Sequence, residues 1–216
     1  MSDGSDQPVR GGVVAELRLC STTPDGWAEV VAGDPLALLS DHAHCELKAA
    51  ASAMTMLKQN PERPGLALRL APLIKEESEH LHRVLREIEV RGGELKADLP
   101  NPYAEGLRRI ARETRPGPPR GSGFLDVVLV SALIEMRSHE RFERLAECAA
   151  LAGLDGLYRG LGEAEARHGV LFADIARTSF PEGEVVARFA ELALREAELL
   201  ETLPTGPRIH SGHGSR

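Results

Sequence analysis

The sequence predicts an all-α protein: a four-helix bundle built from two helical hairpins, with additional short helices. Three observations lead there. Hydrophobic residues make up 42% of the chain but aromatics only 4%, with Ala, Leu, Glu and Arg dominating its middle, as in helical proteins. Glycines and prolines cluster at breaks that leave stretches long enough for helices of 20 or more residues, with no sustained strand-type alternation. A polar pattern also occurs twice, a lone Glu followed by Glu-x-x-His: Glu46 then Glu77 and His80, and Glu135 then Glu165 and His168.

At 216 residues and 23.4 kDa the chain is large enough for one domain with a substantial core. Residues 1–24 form an N-terminal extension, polar at its start, with a short apolar segment Val13–Leu19 of unassigned structure. The main domain is expected over 25–204, followed by a C-terminal tail over 205–216. Helices are expected over Asp34–Asn60 and Gly65–Arg91, the first hairpin, with Pro72 kinking the second helix or marking its true start. A shorter helix, Pro102–Thr114, falls in the connection. The second hairpin is Phe124–Ala152 and Leu154–Thr178, and a last helix spans Gly183–Thr202.

Helical periodicity gives each helix an apolar stripe. The stripes run through Leu39, His42, Glu46, Ala50 and Ala53; through Leu70, Leu73, Glu77, His80, Val84 and Ile88; through Val128, Ala132, Glu135, Phe142 and Leu145; and through Tyr158, Leu161, Glu165, His168, Phe172 and Ile175. All four Glu residues interrupt these faces. Glu79 and His82 share the Glu-x-x-His spacing but fall out of register, on the solvent side. A buried ionised carboxylate costs several kcal/mol, and four would consume most of a domain's net stability of about 5–15 kcal/mol. Two divalent ions cancel the charge of four carboxylates. In that arrangement each Glu-x-x-His pair holds one ion while the lone Glu residues bridge or cap. Oxygen-rich ligation with one imidazole per ion suits iron or manganese better than zinc, with iron first. The six candidate metal ligands, and through them the catalytic residues, are Glu46, Glu77, His80, Glu135, Glu165 and His168. His42 and His139, one turn from ligand Glu residues, are candidates to hydrogen-bond the carboxylates.

No stretch of about 18 apolar residues suggests a membrane span, and the polar start argues against a signal peptide. Three cysteines, Cys20, Cys45 and Cys148, without C-x-x-C, point to a reducing cytoplasm rather than a disulfide framework. The formal charge of −7 disfavours nucleic acid as a bulk partner. Arg108, Arg109, Arg112, Arg115 and Arg120, however, crowd one connection and are candidate phosphate contacts, the alternative being a solvated amphipathic helix.

The chain resembles the tRNA 2-methylthio-N6-isopentenyladenosine-37 hydroxylases, the MiaE family of ferritin-like non-haem diiron monooxygenases, from Leu39 to Gly212. The resemblance is carried by Asp-His-Ala-His-Cys-Glu-Leu-Lys-Ala-Ala at Asp41–Ala50, Glu-Glu-Ser-Glu-His at Glu76–His80 and Arg-Gly-Gly at Arg91–Gly93. It continues through Tyr-Ala-Glu-Gly-Leu-Arg at Tyr103–Arg108, Ile-Glu-Met-Arg-Ser-His-Glu-Arg-Phe at Ile134–Phe142, Glu-Ala-Arg-His at Glu165–His168 and the tail Ile209–Gly212. The family's ligands fall on the same six residues. His44, Leu81 and His139 depart from the usual Asn, Phe and Cys. The resemblance implies two iron ions, O2 as co-substrate, a tRNA anticodon loop as partner and an external electron-transfer reductase. A ferritin-like ferroxidase or iron-handling protein, a peroxide-consuming relative of rubrerythrin or manganese catalase, and a diiron hydroxylase of another substrate are the alternatives.

Overall fold

Two of the helices begin where a side chain supplies an N-terminal partner. Asp34 Oδ1 accepts from Ala37 N at 2.9 Å ahead of Pro35, and Asn101 Oδ1 accepts from Ala104 N at 3.0 Å ahead of Pro102. The computed structural model describes residues 17–114 and 123–213. Its helices are α1 (Trp27–Val31), α2 (Pro35–Gln59), α3 (Leu66–Val90), α4 (Pro102–Glu113), α5 (Gly123–Glu147), α6 (Asp155–Ser179) and α7 (Glu182–Thr202). There is no strand among the described residues.

α2 pairs with α3 and α5 with α6, the two expected hairpins, and α3 packs on α6 to join them. α4 crosses between the hairpins against α5 and α7, and α7 lies along α5. The Arg91-Gly92-Gly93 turn ends α3 in a Schellman arrangement: Gly92 has φ 69°, its N–H donates to Glu89 O, and Gly93 N–H donates to Ile88 O, both at 2.9 Å. α5 stops at Glu147 rather than Ala152. Cys148 is extended and a single 3₁₀ turn, Ala149–Leu151, completes the connection, so an apolar run that reads as helix is spent on closing the hairpin. α1, at five residues, is too short to leave a periodic signature. Pro72 neither starts nor ends α3, which begins at Leu66.

The core has two apolar clusters separated by a polar layer. On α2 the order is Leu38, Leu39 and Ala43, then Glu46, then Ala53 and Met56; on α5 it is Leu129 and Leu133, then Glu135, then Phe142 and Leu145. α3 and α6 repeat it, with Glu77 and His80 between Leu73 and Val84, and Glu165 and His168 between Leu161 and Phe172. All six candidate ligands therefore lie at one level of the bundle. The flanking segments set apart in the sequence pack onto the same body where they are described: Leu17, Thr23, Ile209, His210 and Ser211 are all buried.

Candidate metal centre

Glu46, Glu77, His80, Glu135, Glu165 and His168 are each no more than 6% exposed, whereas Glu79 and His82 lie on the surface. Two groups of four form within them. Glu46, Glu77, His80 and Glu165 bring one donor atom each to within 4.8 Å of one another, as do Glu77, Glu135, Glu165 and His168. Glu77 and Glu165 belong to both groups, while Glu46 and Glu135 belong to one each. The sharing thus falls on the Glu of each Glu-x-x-His, while the lone Glu residues, expected to bridge or cap, belong to one group each.

Both imidazoles present Nδ1 to the cluster. His80 Nδ1 lies 3.6 Å from Glu46, 3.7 Å from Glu77 and 3.9 Å from Glu165; His168 Nδ1 lies 2.9 Å from Glu77 and 3.9 Å from Glu165. Despite these approaches, both Glu77 carboxylate oxygens, Glu165 Oε1, His80 Nδ1 and His168 Nδ1 are buried without a hydrogen-bond partner. Such orphaned atoms cost free energy unless another group satisfies them. Five of them converging at one level, on carboxylates and imidazoles, fit a pair of divalent cations.

The electrostatics agree. Burial, with neighbouring carboxylates adding to it, drives Glu135 and Glu165 well above the usual carboxylate range and Glu46 to about 8. Burial also acts on Glu77, but its contacts with His168 and His80 outweigh it and take the group down to about 2. Burial opposes charge on His80 and His168 too; the surrounding carboxylates nevertheless raise both, His80 to about 9. Protons stand in this cluster for the positive charge that cations would supply.

Two side chains brace the cluster from outside. His42 Nε2 meets Glu46 Oε1 at 2.7 Å, its ring packed against both Phe142 and Tyr158, and burial lowers its pKa to about 3, so the imidazole is neutral. Glu76 Oε2 meets His168 Nε2 at 3.1 Å, on the side of the ring away from the cluster. Sequence reasoning missed Glu76, which sits next to Glu77 on a turn crowded with carboxylates; only the fold shows which of them turns toward α6. His139 takes no such part. Its Nδ1 bonds Gly162 O on α6 at 2.9 Å.

A cleft of about 1060 Å³ opens between α2, α4 and α5, and a throat of about 80 Å³ leads from it to Glu135. Lys48, Ser52, Asn101, Arg108, Ser131 and Ile134 line both and form the neck. Deeper in, Ala49, Ala53, Tyr103, Phe172 and His210 make the throat mostly apolar. None of His44, Leu81 and His139 lines it: His44 bonds Lys96 O, Leu81 packs in the core near Val84, and His139 faces α6. Arg108 and Arg112 line the cleft, Arg109 is exposed beside them, and Arg115 and Arg120 lie outside the described residues. Among the other charges at the cleft, Lys48 pairs with Asp98 at 2.6 Å and Asp126 with Arg188 at 2.8 Å. Cys20 is exposed and Cys148 buried, and no disulfide joins the described cysteines. No helix among the described residues is long and apolar enough to cross a membrane.

The family model "tRNA-(MS[2]IO[6]A)-hydroxylase (MiaE)" matches residues 13–211. A Pseudomonas putida protein named tRNA 2-(methylsulfanyl)-N(6)-isopentenyladenosine(37) hydroxylase is 35% identical over 191 residues, 88% of this chain and 90% of that protein. A Salmonella typhimurium protein of the same name is 28% identical, over 88% of this chain and 86% of that one. A solved structure, "Protein 43 with aldehyde deformylating oxygenase activity from Synechococcus", superposes with a TM-score of 0.81 at 40% identity, covering 90% of this chain and 96% of that one. The bundle is ferritin-like, with a buried Glu/His cluster compatible with a metal site, and the chain belongs to the MiaE family of tRNA hydroxylases.

Proposed function

We propose that this protein is a non-haem diiron monooxygenase that hydroxylates the isopentenyl group of 2-methylthio-N6-isopentenyladenosine at tRNA position 37. The observation that carries this is the pair of overlapping donor groups sharing Glu77 and Glu165 in the buried layer of the bundle. In this reading Glu46 and His80 complete one iron site, and Glu135 and His168 the other. Two iron ions held there would supply the reduction of O2, with one oxygen atom inserted into a substrate C–H bond, the other lost as water, and two electrons and two protons drawn from outside. The electrons come from an electron-transfer partner in a reducing cytoplasm.

The chain's own residues do the rest. His42 and Glu76 fix the orientation of Glu46 and His168, as hydrogen-bonded partners of metal ligands generally do. The apolar throat admits an aliphatic group and keeps bulk water from the cluster. Arg108 and Arg112 at the cleft, with Arg109 beside them, meet the phosphates of an anticodon loop, whose unstacked base enters without melting a duplex. Family membership favours the hydroxylase over the ferroxidase or iron-handling reading. One observation favours a second substrate class: the similar Synechococcus protein is named for aldehyde deformylating oxygenase activity, and an apolar throat also suits an aliphatic aldehyde.

The test is to incubate iron-loaded protein, a reductant system and O2 with tRNA bearing the prenylated base, then digest and weigh the nucleosides. A nucleoside heavier by one oxygen is expected, and Glu135→Ala abolishes it and lowers iron content. No heavier nucleoside from fully loaded protein overturns the assignment, and turnover of an aliphatic aldehyde under those conditions moves it to the second class.

A further inference from the structure

The chain after α7 runs back into the bundle instead of out to solvent, and it reaches the throat. Five of the bonds that hold this strap fix its path. Arg141 Nη1 donates to Ile209 O at 2.6 Å and Nη2 to Ser211 O at 2.8 Å; Asp41 Oδ2 accepts from Ile209 N at 2.9 Å; Trp27 Nε1 donates to Ser211 Oγ at 2.9 Å; and His213 N donates to Leu200 O at 3.1 Å. At Gly212 a Cβ would stand 1.9 Å from Leu203 O, so only glycine fits the return. Arg141 is fully buried and makes no ion pair among the described residues; its Nε meets Thr23 Oγ1 at 3.4 Å and its guanidinium lies 4.6 Å over Trp27. Were the strap to leave, a buried cation would lose its two carbonyl partners, and uncompensated buried charge is strongly destabilising. The strap is therefore a fixed part of the fold.

Its anchors also tie it in register to the cluster. Asp41 lies on α2 five residues before Glu46, and Arg141 on α5 six residues after Glu135. Between them the strap delivers His210, whose ring stacks on Tyr103 at 4.6 Å with the planes parallel to 1°, with Nε2 3.2 Å from Ser138 Oγ and Nδ1 3.9 Å from Cys45 Sγ. His210 lines the throat together with Glu135. Burial, with Arg141 and Arg137 adding to it, keeps the imidazole neutral, as a wall against an aliphatic group must be. The other throat walls include the small side chains Ala49, Ala53 and Ala104, so the rings of His210, Tyr103 and Phe172 give the space its shape.

We propose that His210, carried in by the C-terminal strap, is a positioning residue: its ring sets how far an aliphatic substrate group enters and which carbon comes to rest beside Glu135. This rests on the reading of the cluster as the oxygenating metal centre.

Three variants test it: His210→Ala, which opens the wall; His210→Gln, which keeps a polar side chain there; and Ala49→Val, which narrows the throat from α2. The readouts are iron content, melting temperature, the position of the new hydroxyl, product formed per O2 consumed, and binding of isopentenyladenosine nucleoside to metal-free protein. In His210→Ala, iron content is expected to hold while the hydroxyl spreads to a second carbon, coupling falls by about tenfold and nucleoside binding weakens; His210→Gln restores part of each. A lower melting temperature with unchanged product position, coupling and nucleoside binding would leave His210 a packing role only and overturn the proposal. If His210→Ala does not fold, Ala49→Val decides, since unchanged coupling, product position and nucleoside binding there would mean that the throat does not hold the substrate. If the wild-type protein oxidises aliphatic aldehydes but not prenylated tRNA, the hydroxylase reading fails by itself. The chain-length preference for aldehydes then carries this test: broadening in His210→Ala supports the proposal and an unchanged profile overturns it.

Discussion

Glu76 and His139 show what a single residue's position in the chain does and does not reveal. Both sit within one turn of a cluster Glu, yet Glu76 reaches His168 Nε2 at 3.1 Å on a neighbouring helix and His139 turns away to Gly162. Spacing along a helix fixes which face a residue occupies, but not which neighbour its side chain meets across the interface. The six cluster residues were legible because burying charge is so costly that four carboxylates on apolar stripes allow few explanations. Glu76 was not, because it is half-exposed and one carboxylate among several on its turn. Its importance is measurable. Replacing Glu76 with Ala frees His168 to rotate and is expected to lower iron affinity by about 10–100-fold, read by titrating metal-free protein with ferrous ion under anaerobic conditions. An unchanged affinity would mean that the ring is oriented by packing alone.

At the scale of elements, both ends of each expected helix fell within one residue of the structure, except the end of α5. Pro35 and Pro102 follow side chains that cap, so α2 and α4 begin within one residue of expectation. Replacing Asp34 with Ala removes the bond to Ala37 N and should cost about 1 kcal/mol in a urea melt, with no change in iron content. The end of α5 was misread because nothing in the apolar run after Glu147 announces a 3₁₀ turn; closure of the hairpin onto α6 decides it. The fold of the last segment was equally hidden. Ile209–Gly212 extends the family resemblance into the tail, but only the distant partners Arg141, Asp41 and Trp27 give it a fixed path.

For the whole molecule, the buried layer makes stability a function of pH and metal together. Glu46, Glu135, Glu165, His80 and His168 all have folded-state pKa values above their ordinary ones. Between pH 7 and 9 the metal-free folded protein therefore holds protons that the unfolded chain has released, and stability falls as pH rises through that window. His42 and His210, both depressed, are already neutral there in either state and contribute nothing. Glu77, taken down to about 2, loses its contribution only as the pH drops below the ordinary carboxylate range. The melting temperature of metal-free protein is expected to fall from pH 7 to pH 9. Loaded protein should show a flatter or opposite trend, because cations displace those protons and bind better as pH rises. Parallel curves for the two forms would argue against cations in the layer.

The path of the strap also has a consequence in time. It follows the seven helices of the described residues, so it leaves the ribosome after them, and domains generally begin to fold as they emerge. A nascent bundle can gather its acidic layer while the chamber beside it still lacks one wall. Only when the segment after α7 threads home is the space beside Glu135 walled on that side, so the helices are made before the site can close.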